Sequence, residues 1–518
     1  MRSPAGPGAL TSMLLVHAFW FCAFLLLPLS MSPAVLFGLG NVGLEATPEY
    51  RAYATVALLL LGLGLGHYLR RRNMEQAIPM PEPKAALRWQ LPLICLVLVL
   101  ALSSVFDSTT PWPRATGSSE RFDGALVQAA WFGLALVASV IADRSGPNML
   151  VVFRYVLAGA IATSIWVALQ ATGNDPLTLV SRAGVFLDLP AGAFGHGALA
   201  SMYLVLALLV LWTAAAFGVF PKKIAVIVSF VLAVGAAGAG GRAAAVGMMV
   251  SAAVLVFRLR REPAGLRTLL HLALASIIGV AAAYVVFPRT QRQAAAAGAA
   301  MVGMDGSFNA RLPAWRGGYR LMLEHPLVGV GPEGFAYGVW PHLDERDAAV
   351  LIRGALGAKV AHLELKREDY SIAGNAIAYV DSENRLAVES LRWDKAHNYY
   401  IDLALTAGIP ALLLYLFTVG LMLRTLLSSV DPFAVGAGLA LLSYLVYGIA
   451  WFGTVSLDPV TWLIVGCGLG WAQNPRRSAA SSSHVGNTDS DPTVQGTGSC
   501  GVSQMPVVVV SPTATERA

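Results

Sequence analysis

Residues 197–217 read GALASMYLVLALLVLWTAAAF, and none of them carries a charge. A helix of this length is about 30 Å long, the thickness of a bilayer's hydrocarbon core. A surface helix of a water-soluble protein would show a polar face at a period of 3.6 residues, and this stretch has none. Moving outward, eleven further apolar segments can be read: 12–31, 52–69, 90–106, 123–142, 149–170, 223–240, 242–257, 269–287, 398–423, 433–452 and 456–473. Their ends fall at charged clusters or at turns such as Phe220-Pro221 and Asp431-Pro432. The whole chain agrees with them. Of its 518 residues 56% are hydrophobic and 13% charged, with mean hydropathy +0.62. A soluble domain has about 25% charged residues. The sequence therefore predicts an all-α polytopic membrane protein of about twelve transmembrane helices. It excludes a soluble enzyme or a disordered chain. The net charge of +6 is not read as nucleic-acid affinity, and no nucleic-acid partner is expected.

The distribution of basic residues predicts the orientation. With the N-terminus inside, the inner segments hold sixteen of them: Arg2, Arg70, Arg71, Arg72, Lys84, Arg88, Arg144, Lys222, Lys223, Arg258, Arg260, Arg261, Arg267, Arg424, Arg476 and Arg477. The short outer loops hold five: Arg51, Arg114, Arg121, Arg182 and Arg242. Cytoplasmic loops carry the excess of Lys and Arg, so both termini are expected to be cytoplasmic. The apolar run after Arg2 extends to about Leu29 and reads as an uncleaved first span.

This gives four regions. Residues 1–287 hold spans one to nine, 288–397 form one large outer loop, 398–473 hold spans ten to twelve, and 474–518 form a polar, disordered cytoplasmic tail. The loop has two parts. Residues 308–340 mix aromatic, basic, Gly and Pro residues, and a helix from Pro313 would place Trp315 and Tyr319 on one stripe beside Arg316 and Arg320. Such a helix would lie at the outer membrane surface. Residues 341–396 carry ten acidic and eight basic residues and read as a solvated insert. There 346–368 looks helical, and Asn375–Val380 and Arg385–Leu391 flank a hairpin turn. The four cysteines have no metal-binding or redox spacing. Neither a metal nor another cofactor is expected.

Three stretches hold residues suited to chemistry. His397, in Ala396-His397-Asn398-Tyr399-Tyr400-Ile401-Asp402, marks the return of the large loop into a span. A positive charge is disfavoured at a helix N-terminus, so a neutral imidazole fits there, either as a general base or as an interfacial cap. Asn398 is its polar neighbour, and Asp402, inside the span, is a candidate partner for an arginine. Arg242 follows the turn Gly238-Ala239-Gly240-Gly241, where a guanidinium can hold a phosphate oxygen or snorkel to headgroups. Arg311 and Arg316 lie in the amphipathic stretch, with the same two readings. His196 is a weaker candidate, equally readable as a turn at a helix start. The segment His325-Pro326-Leu327-Val328-Gly329-Val330-Gly331 lacks the Lys-Ser/Thr of a phosphate loop, so no nucleotide is implied.

Taken in order, the Gly240-Gly241-Arg242 turn, the Arg311…Trp315…His325-Pro326…Phe335 segment and the Ala396-His397-Asn398…Gly408-Ile409-Pro410 span resemble the O-antigen ligase / O-antigen polymerase superfamily of bacterial envelope glycosyltransferases. The resemblance covers about residues 225–425. It departs from the family at Gly241, where a Ser is common, and in the length of 341–396. It implies a glycan donor on undecaprenyl pyrophosphate, a site at the periplasmic face of the inner membrane, and functional roles for Arg242 and Arg311 (diphosphate binding) and His397 (catalytic base). Arg316, Asn398 and Asp402 are possible supporting residues. Transfer to an acceptor hydroxyl by single displacement would be metal-independent and inverting. Ligation to lipid A-core is the first expectation. A growing glycan (O-antigen or exopolysaccharide polymerase) and a protein hydroxyl (O-oligosaccharyltransferase) are alternative acceptors. A flippase or transporter is the rival of another class, but a division of nine spans and three is unlike a transporter of two similar halves.

Overall fold

The computed structural model describes residues 7–30, 47–75, 83–106, 117, 122–144, 149–175, 190–287, 306–332, 334–360, 362–373, 376–391, 393 and 395–473. The polar tail, the first part of the large loop (288–305) and Arg2, Arg114, Arg121, Arg182, Arg476 and Arg477 of the charge count lie outside these residues.

Each of the twelve apolar segments falls on a helix. The first, α1 (Pro7–Phe21), runs on through a π-helical turn at Cys22–Leu26 into Leu27–Leu29. Then follow α2 (Thr47–Glu75), α3 (Pro83–Phe106), α4 (Ala125–Arg144), α5 (Met149–Ala171), α6 (Gly197–Ala216), α7 (Lys222–Ala239), α8 (Arg242–Leu259) and α9 (Pro263–Val286). The loop region contributes α10 (Gly306–Glu324), α11 (Gly334–Gly338) and α12 (Glu345–Leu356). After it come α13 (Tyr399–Leu427), α14 (Pro432–Gly448) and α15 (Asp458–Ala472). Among the described residues nine helices are long and apolar enough to cross a membrane, and the helical stretches Arg88–Ser103 and Pro432–Gly448 are shorter apolar ones. The chain is an all-α polytopic membrane protein.

The stretch at 197–217 is the centre of the bundle. Helix α6 is buried almost from end to end and touches α5, α7, α8, α9, α14 and α15. This is where a helix that is apolar all round belongs. Glycines set the closest approaches. A Cβ on Gly466 or Gly470 of α15 would run into the carbonyls of Ala135 and Ser139 on α4. Small residues four apart let two backbones approach closely, where dispersion does the holding.

Three sequence expectations change, and the first is that the helix read over 346–368 ends, as α12, at Leu356. Arg51, assigned to an outer loop, is buried within α2, at 1% exposure. It donates to the carbonyls of Ser30 (3.2 Å) and Ala193, and its guanidinium lies 5.2 Å from the Phe194 ring centre. It ties the end of α1 to the segment before α6. The helix expected from Pro313 begins at Gly306, with Pro313 inside it.

The loop region also has its own hydrophobic core. Leu321, Phe335, Trp340, Leu343, Leu351, Ile352, Ile377, Tyr379 and Leu391 pack together, and Leu405 of α13 joins them. Three antiparallel strands, β1 (Tyr370–Ala373), β2 (Ala376–Val380) and β3 (Leu386–Ser390), are ordered β1-β2-β3. Register pairs Tyr370 with Tyr379 and Ala378 with Val388. The expected hairpin is β2–β3. Asp381 closes it by accepting the amides of Glu383 (2.8 Å) and Arg385 (2.9 Å).

Candidate active site

Helix α13 is broken near its start, and the break explains the Gly/Pro-rich segment 325–331. Pro410 has no N–H to give, and Gly408 adopts φ +86°, ψ 168°. The broken turn is completed from outside the helix. Val330 N–H donates to Leu405 O (2.6 Å) and Ile409 N–H to Pro326 O (2.8 Å). The fit admits no side chain, since a Cβ on Gly408 would strike Leu327 O and one on Gly329 would strike Leu405 O. The segment thus fixes the end of α10 against the first turns of α13.

His397 stands just ahead of α13. Asn398 is the N-cap, and its Oδ1 accepts from the amides of Tyr400 (3.0 Å) and Ile401 (3.1 Å) while its Nδ2 donates to Ile449 O (3.0 Å). His397 has φ +54°, uncommon for a residue with a Cβ. Its ring is half-buried among Trp393 (5.2 Å between ring centres), Trp451 (5.8 Å) and Phe452 (4.9 Å). Its Nδ1 lies 3.1 Å from Lys395 O. A carbonyl only accepts, so Nδ1 holds the proton of a neutral ring and the lone pair is on Nε2.

The backbone around His397 is fastened from both sides. Lys395 Nζ meets Asp123 at 2.8 Å, with both side chains buried. Asp402 Oδ1 accepts the Ala396 amide (2.8 Å). Asp123, Lys395, Asp402, Tyr399, Thr406 and Gln128 line a small cavity behind the histidine. Asp402 is thus part of the support for the His397 strand.

Trp451, just past the end of α14, connects the remaining candidates. Its ring meets His196 at 4.7 Å as well as His397, and Tyr447 at 6.1 Å. Helix α10, which carries Arg311, packs at Gly318 against Ile401 and Leu405 of α13. His196 is the N-cap of α6, its Nδ1 accepting from Ala198 N–H at 3.1 Å. The Gly240-Gly241 turn sits on that same helix start. Gly240 has φ +74°, and a Cβ on Gly241 would lie 2.5 Å from Ser201 Cβ and 3.4 Å from Ala198 Cα. A serine in place of Gly241 would have no room here. Arg242 follows as the first, exposed residue of α8.

His397 and His196 therefore meet one ring, that of Trp451, and the turn ahead of Arg242 packs on the start of the helix that His196 caps. Arg316 has a different engagement. It grips the buried carboxylate of Asp347, with Nε 2.8 Å from Oδ2 and Nη2 on Oδ1, which joins α10 to α12. The pairing raises the Arg316 pKa, through the hydrogen bond to Asp347 first.

Trp451, Phe452, Tyr447, Trp393 and the Lys395–Asp123 pair were not singled out in the sequence. Trp451 and Phe452 end an apolar segment, where aromatic residues are ordinary interfacial anchors. Their role comes from the packing of α14 beside α6. Among the described residues, the Tyr447 hydroxyl and the Trp451 indole N–H are buried without a hydrogen-bond partner.

A search of curated proteins found no match. Residues 224–416, from the first turn of α7 to the middle of α13, match the family model described as O-antigen ligase. That stretch contains Arg242, Arg311, His397 and the broken turn of α13, while Trp451, Tyr447 and His196 lie outside it. Over that stretch, rather more than a third of its length, the chain carries a domain similar to the O-antigen ligase family.

Proposed function

We propose that the protein transfers a glycan from undecaprenyl pyrophosphate to an acceptor hydroxyl at the periplasmic face of the inner membrane, with lipid A-core as the acceptor. The observation that carries this reading is that His397 and His196 meet the same Trp451 ring, while the Arg242 turn packs on the helix start that His196 caps. The positive-inside count assigns that helix start to the periplasm.

Arg242 and Arg311 hold the donor diphosphate, each guanidinium offering a planar fork to phosphate oxygens. His397 Nε2 takes the proton of the acceptor hydroxyl. The hydroxyl oxygen then bonds to the anomeric carbon as the bond from that carbon to the diphosphate breaks. The electron pair leaves with the diphosphate, where the arginines stabilise the growing charge. One displacement inverts the anomeric centre. The reaction needs no metal, because the cations that neutralise the leaving group belong to the chain.

The glycan phenotype of a deletion strain tests the reading. Full-length polymer that accumulates on the lipid carrier, with lipid A-core left bare, is the expected result. Single repeat units on lipid A-core would make the protein a polymerase. Intact lipopolysaccharide with unglycosylated proteins would make it a protein transferase.

A further inference from the structure

At the opposite end of the bundle, the last turns of α8 and α13 and the first turns of α14 enclose a groove of about 360 Å³. Its walls are apolar: Val254, Leu255, Leu427, Val435 and Leu439. Its rim is cationic. Arg258, Arg260 and Arg261 all line it and all are exposed. Arg258 Nη2 donates to Ser429 O (2.7 Å), which anchors it to the far wall. Arg260 lies 3.9 Å from the Phe257 ring centre, which holds its guanidinium in place. Among the described residues no carboxylate pairs with any of the three, and Glu262, the nearest acid in sequence, is itself exposed.

Three guanidiniums that no carboxylate of the described residues neutralises, set around an apolar slot, call for a ligand with both characters. Arginines that only snorkel would sit over a sealed helix surface. Here they surround an opening between helices large enough for a chain of methylenes. Basic pockets between spans on the cytoplasmic side bind anionic headgroups. We propose that this groove is a binding site for an anionic diacyl phospholipid. The headgroup phosphate lies among Arg258, Arg260 and Arg261, and one acyl chain lies against Val254, Leu255 and Leu439. The lipid would brace α8 against α13 and α14. This site is independent of the transfer reaction at the other end.

The experiment uses the full-length protein in a neutral detergent, with native mass spectrometry and thermal melting as readouts. Phosphatidylglycerol should bind as a retained adduct and raise the melting temperature. Phosphatidylcholine and glycerol phosphate should do neither, since one lacks the net charge and the other the chains. The variant Arg258→Gln/Arg260→Gln/Arg261→Gln should lose on the order of a hundredfold in phosphatidylglycerol affinity, about fivefold for each cation removed. Val254→Trp keeps every charge and fills the groove, and it should also abolish the adduct. Equal binding of phosphatidylcholine would overturn the proposal. Undiminished phosphatidylglycerol binding by Val254→Trp would do so as well, by leaving only a diffuse surface attraction. Binding of glycerol phosphate alone would make the site one for a free phosphate and not for a lipid.

Discussion

Gly408→Ala is the substitution that tests most of the site's construction at once. At φ +86° and ψ 168° the backbone is in a region that essentially only glycine occupies, so an L residue there costs about 1–3 kcal/mol. The new methyl would also strike Leu327 O. Relief requires residues 326–330 to move off α13. That breaks Ile409 N–H to Pro326 O and Val330 N–H to Leu405 O. Each unsatisfied backbone group at a buried position costs roughly 1–3 kcal/mol. Closing the helix offers no escape, because Pro410 has no N–H for the Thr406 carbonyl. Counting one unsatisfied group for each lost bond, the total is about 3–9 kcal/mol, set against a gain of about 1 kcal/mol for Ala over Gly in an unbroken helix. The control lies in the same helix. Gly420 is exposed, and a Cβ there meets nothing within 4 Å. Thermal melting of the purified variants, followed by tryptophan fluorescence and transfer assays, should show Gly408→Ala markedly destabilised and inactive. Gly420→Ala should equal the wild type or exceed it slightly. If both variants melt alike, the broken turn is not held by segment 325–331, and the account of that segment falls.

Four other outcomes are expected. Arg242→Ala and Arg311→Ala should insert normally and lose most transfer, with Lys restoring only part because an ammonium cannot reproduce the guanidinium fork; normal in vitro rates for both would reduce them to interfacial anchors. His397→Ala should lose about 10²–10⁴-fold in transfer while retaining donor binding, measured separately with the lipid-linked glycan; a loss wholly accounted for by failed donor binding would end the base assignment. Lys395→Met should destabilise by about 3–5 kcal/mol by stranding the buried Asp123 carboxylate, and Lys395→Met/Asp123→Leu should recover much of that stability in a melting assay. Asp381, whose pKa is lowered chiefly by the Arg385 amide, supports the β2–β3 turn above the usual carboxylate range and loses that support as pH falls through the lowered value; Asp381→Asn should flatten this acid dependence of hydrogen exchange in the hairpin.

Apolar runs made the fold class and each helical segment legible, because the bilayer imposes one length and one composition wherever the chain crosses it. A hairpin at 375–391 was legible for the same kind of local reason, since alternation and turn residues act within a few positions. Arg242, Arg311 and His397 were legible as chemical types at helix ends. That His397 and His196 share the Trp451 ring was not, because those contacts join residues about 50 and about 250 positions apart in the chain. Arg51 read as an outer-loop charge and Arg316 as an interfacial or supporting one, and packing turned the first into a buried clamp on backbone carbonyls and the second into the partner of Asp347. Gly408, Gly329 and Gly241 show the division most clearly. Alone, each reads as a loosened position. Only the backbone brought against it from a distant segment makes the absence of a Cβ necessary, because a close approach between two chains is a property of neither sequence stretch by itself.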